Sequence, residues 1–125
     1  MEKEFSFTGR IRSFKYAGQG IITMIKSQHN AWIHSLATIL AIVSGVVFNI
    51  TKSDWCFIIL AIVVVWMAEA LNTAFEFLAD VASPEFHPLV KNAKDVAAGA
   101  VLISAIGSVA VGIIIVGPYF IKLLG

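Results

Sequence analysis

Trp55-Cys-Phe-Ile-Ile-Leu-Ala-Ile-Val-Val-Val-Trp66-Met-Ala-Glu69-Ala-Leu-Asn72-Thr-Ala-Phe-Glu76 decides how this chain is built. Trp55 to Ala68 is apolar throughout, and then Glu69, Asn72 and Glu76 follow in quick succession. A helix of about 20 apolar residues crosses a bilayer core. A charge near the middle of such a helix costs roughly 2.5–3.5 kcal/mol by insertion measurements, so an ionisable residue there points to a functional site. At about 100° per residue, Glu69, Asn72, Thr73, Glu76 and Asp80 fall within an arc of roughly 100°, giving one face a polar stripe. Such a stripe must face protein or water rather than lipid. Glu69 lies about two turns deeper than Glu76. The deeper, poorly solvated carboxylate suits a general base, and one nearer the rim suits a divalent cation.

Working outward, the composition agrees with a membrane protein. Of 125 residues, 58% are hydrophobic and 14% charged, a balance that would cover a soluble domain in apolar surface. The net charge of +1 gives no reason to expect a nucleic-acid partner. Cys56 stands alone, which excludes an internal disulfide or a paired-cysteine metal site. Charged residues occupy the first 26 positions ahead of any long apolar run, the wrong order for a secretory signal peptide. The first apolar segment is therefore expected to be retained.

Residues 31–50, 55–80 and 95–121 are expected to be three transmembrane helices, and 5–27 a surface helix, in one all-α domain over 1–125. Arg10, Arg12, Lys15 and Lys26, with Lys3, precede the first span, and Lys91 and Lys94 lie between the second and third. The excess of basic residues predicts that these segments are cytoplasmic, with the N-terminus inside. Within 5–27, Phe7, Ile11, Phe14, Gly18, Ile21 and Ile25 share a narrow arc, while Arg12, Lys15, Gln19, Thr23 and Lys26 lie opposite, the pattern of an amphipathic interfacial helix. It reads either as an anchor or as a cover for a site at the membrane surface.

The loop Ser83-Pro84-Glu85-Phe86-His87-Pro88 breaks the helix and carries Glu85 and His87 to the surface. Lys94 and Asp95 stand at the threshold of the third span. A lysine there can meet a phosphate as a point charge; alternatively Lys94 is a topogenic charge and Asp95 a helix N-cap. Ala100, Ser104, Ser108 and Gly112 recur at helical spacing in the third span, a pattern for close helix packing or a lipid groove. Gly18-Gln19-Gly20 is too short to be a phosphate loop.

Glu69-Ala-Leu-Asn72-Thr-Ala-Phe-Glu76, followed after the Glu85-Phe86-His87 loop by Ala93-Lys94-Asp95-Val-Ala-Ala-Gly-Ala-Val-Leu102, resembles the prokaryotic diacylglycerol kinase family, which includes undecaprenol kinases. The resemblance covers nearly the whole chain. It implies an integral membrane kinase of the bacterial inner membrane that moves the γ-phosphoryl group of ATP, with Mg2+, to a lipid hydroxyl. It also implies a homotrimer with sites shared between subunits. By position, Glu69 corresponds to the base and Asn72 to an essential polar residue. Glu76 matches an Mg2+ ligand, Lys94 and Asp95 a nucleotide-binding pair, and Glu85 and His87 a loop near the nucleotide. Tyr16 and one of Arg10 or Arg12 match N-terminal nucleotide contacts. Gln28 stands where the family usually has a second metal-binding glutamate, and an amide oxygen can ligate Mg2+ but adds no charge. Asn30 and His34 look more like the undecaprenol kinase branch; His34 reads equally as a satisfied polar residue inside the bundle. A small proton-coupled transporter using Glu69, or an inactive scaffold, are the rival readings.

Overall fold

The computed structural model describes residues 4–125, so the expected topogenic Lys3 lies outside the described residues. The fold is all helical: α1 (Phe7–Ser27), α2 (His29–Val47), α3 (Lys52–Ala82) and α4 (Pro88–Leu124). Of these, α2, α3 and α4 are long and apolar enough to cross a membrane. Their outward faces are apolar: Trp32, Leu36, Val64, Ile103 and Ile113 are all exposed. That surface is what a lipid-facing bundle presents.

Local chemistry sets the helix ends. Ser6 caps α1, its Oγ accepting from Gly9 N at 3.2 Å. Asn49 ends α2 in the left-handed region (φ 49), which asparagine tolerates better than most residues. Ile50 N then reaches Gly45 O and Asn49 N reaches Val46 O, each at 3.2 Å, the paired closure of a Schellman motif. Thr51 Oγ1 accepts from Asp54 N at 3.1 Å to start α3. At α4 the cap is His87, whose Nδ1 accepts from Leu89 N at 3.2 Å, with Pro88 in the first turn. Asp95 thus lies well inside a helix, and its reading as an N-cap is corrected. The helix starts ahead of the expected residue 95 because apolarity marks where the span begins, not where the backbone bonds do. Pro118 is accommodated within α4.

Cross-helix bonds fix the topology. Between α2 and α3, His34 meets Glu69, Thr38 meets Trp66 and Gly45 meets Trp55, so the helices run antiparallel. Between α3 and α4 the pairs are Asp80 with Lys94, Ala61 with Ser108 and Asp54 with Tyr119, again antiparallel. Gly45 permits close approach at the far end: a Cβ there would sit 2.5 Å from Trp55 Cη2.

The first helix packs against α3 near its C-terminal end. Met24 is its buried residue, and Ala17, Gly20 and Met24 line a cavity with Ala70, Thr73 and Phe77 of α3. At about 100° per residue these positions sit beside the Phe7–Ile11–Phe14 arc rather than on it. Small side chains let α1 approach α3, Ile21 of the arc joins them in the cavity wall, and Phe7, Ile11 and Phe14 stay exposed.

Candidate functional site

The polar stripe of α3 is turned inward where it is deepest. Glu69 is fully buried, with Asn72 and Thr73 at 5% and 4% exposure. Glu76 is half-buried and Asp80 exposed. The gradient follows from the neighbours: α2 covers the deep part, and the corner between α1 and α2 covers the next turn.

Around Glu69 the partner comes from α2. His34 Nε2 lies 3.2 Å from Glu69 Oε2, while Glu69 Oε1 is buried and has no hydrogen-bond partner among the described residues. The imidazole packs edge-on against Trp66, with centroids 6.0 Å apart. Trp66 Nε1 donates to Thr38 Oγ1 at 3.0 Å, and Thr38 Oγ1 donates to His34 O at 2.7 Å. His34 also lines a cavity of about 310 Å³ between α2, α3 and α4, whose walls include Ile33, Thr38, Val65, Ala105 and Val109.

Two turns towards the loop, two amides converge on Glu76. Gln28 Nε2 donates to Oε2 at 3.1 Å and Asn72 Nδ2 to Oε1 at 3.4 Å. Asn72 Oδ1 is buried without a partner among the described residues. An amide keeps its shape when turned end for end. Turned so, Gln28 and Asn72 would offer oxygens beside the Glu76 carboxylate, a hard-oxygen donor set of the kind Mg2+ takes. Among the described residues no group of three His, Cys, Asp or Glu could hold a metal.

The remaining predicted residues form a second group. Lys94 Nζ is 3.1 Å from Asp80 Oδ1, and Asp95 pairs with Lys91 along α4. Thus Lys94 and Asp95 are neighbours in sequence with different partners. Glu85, His87, Lys94 and Asp95 line a shallow cavity of about 280 Å³ at the 83–87 loop. Arg10 stacks over Phe5, and Tyr16 is exposed on α1; neither hydrogen-bonds to Glu76 among the described residues.

Residues 15–116 match the family model for prokaryotic diacylglycerol kinase. The chain belongs to the prokaryotic diacylglycerol kinase family. Its relatives include an undecaprenol kinase of Bacillus subtilis, 36% identical over 107 residues that cover 86% of this chain and 87% of that one. A diacylglycerol kinase of Synechocystis is 34% identical over 113 residues, covering 90% of this chain and 65% of the relative. A diacylglycerol kinase of Escherichia coli is 30% identical over 120 residues, covering 90% and 95%. As a member of this family the chain is a membrane lipid kinase, which sets aside the transporter reading. For such a kinase, the pairing of Glu69 with His34 is the feature that sequence reasoning missed. A lone histidine in an otherwise uncharged span was its signal.

Proposed function

We propose that this kinase transfers the γ-phosphoryl group of Mg-ATP to a membrane lipid hydroxyl, with undecaprenol favoured over diacylglycerol. The observation that carries the reading is Glu69: fully buried, one oxygen beside His34 and the other without a partner among the described residues, with His34 itself lining an apolar cavity. A lipid chain in that cavity would bring its hydroxyl to Oε1. The hydroxyl proton then passes to Glu69, the lipid oxygen bonds to the γ-phosphorus, and the bond to the β-phosphate oxygen breaks, releasing ADP. Phosphoryl transfer needs positioning and charge neutralisation more than covalent chemistry.

Glu76, Gln28 and Asn72 would hold the Mg2+, which supplies charge neutralisation at the phosphates. Lys94, with Asp95, Glu85 and His87 around the loop cavity, would meet the nucleotide, and Arg10 and Tyr16 would reach it from α1. His87 can do so through Nε2, since its Nδ1 is engaged as a cap. The preference for undecaprenol is supported by Asn30 and His34 and by the Bacillus subtilis relative. The active unit in this reading is a homotrimer: Asn72 Oδ1 lacks a partner among the described residues, Glu76 and Asp80 of the polar stripe are not fully covered within one chain, and a Cβ added at Gly99 or Gly107 of α4 would meet nothing there. Its place is the bacterial plasma membrane, with α1 lying in the interface on its exposed apolar arc and the basic ends of the spans cytoplasmic.

The test is transfer of labelled γ-phosphate from Mg-ATP in mixed micelles offering undecaprenol or diacylglycerol, with Glu69→Gln alongside. Labelled undecaprenyl phosphate, absent with the variant, supports the reading. Label only in phosphatidic acid would overturn the substrate preference, and label in neither lipid would overturn the reaction.

A further inference from the structure

The buried pair between α2 and α3 has a job within that reaction. We infer that His34 is a positioning residue: its Nε2–H holds Glu69 Oε2 and so presents the unpaired Oε1 to the incoming lipid hydroxyl. This rests on the lipid-hydroxyl reading of the site. A base must be ionised, and an ionised carboxylate only accepts hydrogen bonds, so in this reading the His34 nitrogen 3.2 Å away is the donor. Buried polar atoms are almost always paired, so an unpaired one beside a paired one asks for an explanation. Among the described residues Oε1 has no partner, and a base that takes the proton of a hydroxyl needs such a free oxygen.

The imidazole is itself held in place. Trp66 packs against it edge-on at 72°, and the Trp66–Thr38–His34 hydrogen bonds tie that indole to the backbone of the histidine turn. On the other side, Thr73 Oγ1 donates to Glu69 O at 2.8 Å. The imidazole is thereby held, and the histidine side chain, 11% exposed, borders the apolar cavity. During transfer His34 keeps its own proton. The lipid oxygen's proton goes to Glu69 Oε1 as the oxygen–phosphorus bond forms, and ADP leaves with the electron pair of the broken bond.

The test compares the full-length chain with His34→Leu, His34→Gln and His34→Asn in mixed micelles, with ATP and lipid each titrated. Leucine should lower kcat by about 10² or more, the scale of a mispositioned base, with KM for ATP unchanged. Glutamine, whose amide reaches Oε2, should restore most of the rate, and the shorter asparagine should not. Selective 15N-histidine spectra of the wild type should show a protonated Nε2 at His34. A wild-type rate in folded His34→Leu would overturn the inference, as would equal losses in the glutamine and asparagine variants or a bare Nε2 in the spectrum. Should leucine not fold, the glutamine and asparagine pair and the spectrum still decide. Failure of the wild type to phosphorylate any lipid is a separate result, which overturns the kinase reading and the inference with it.

Discussion

Gln28 Nε2 donates to Glu76 Oε2 at 3.1 Å, joining the corner between α1 and α2 to the middle of the polar stripe 48 positions away. Gln28 is the single residue between the two helices and is extended, with φ −113 and ψ 121. The corner therefore serves both to turn the chain and to supply a ligand-type side chain to α3.

In the proposed metal set, replacing an amide by a carboxylate adds one negative charge beside Glu76. Gln28→Glu is expected to lower the Mg2+ concentration for half-maximal rate. Without metal the two carboxylates repel, so thermal stability should fall and then recover on adding Mg2+. A titration of rate and of Tm against Mg2+ reads both effects, and an unchanged Mg2+ requirement would count against the set.

Glu69→Gln keeps the volume of the side chain and an acceptor for His34 but removes the base. Lipid phosphorylation should fall by about 10²–10⁴ in kcat. ATP binding, measured by nucleotide fluorescence, should be preserved, because Glu76 and Lys94 are untouched. Loss of both would point to a folding defect instead.

Lys94 and Asp80 form a pair whose side chains are 39% and 68% exposed, and pairs this exposed contribute only about 0–1 kcal/mol to stability. Lys94→Ala should therefore leave Tm nearly unchanged while raising KM for ATP. A large drop in Tm with an unchanged KM would show the lysine to be structural.

Gly45 faces the indole of Trp55, and a Cβ there would lie 2.5 Å from Cη2 and 2.7 Å from Cζ2. Gly45→Ala should destabilise the bundle by about 1–3 kcal/mol, the usual cost of overpacking. Thermal unfolding in detergent checks this.

Hydropathy alone determined that α2, α3 and α4 are long apolar helices, because an uncharged run of that length has few other stable forms in a membrane. The stripe from Glu69 to Asp80 was legible too, since helical periodicity is a local property of the chain. Partnership was not legible. His34 and Glu69 are 35 positions apart, and only the antiparallel register of α2 on α3 brings imidazole to carboxylate. The same holds for Lys94, which the α3–α4 register gives to Asp80 rather than to its neighbour Asp95. Side-chain type and period are written along the chain; which oxygen is held and which is left free depends on how the helices pack.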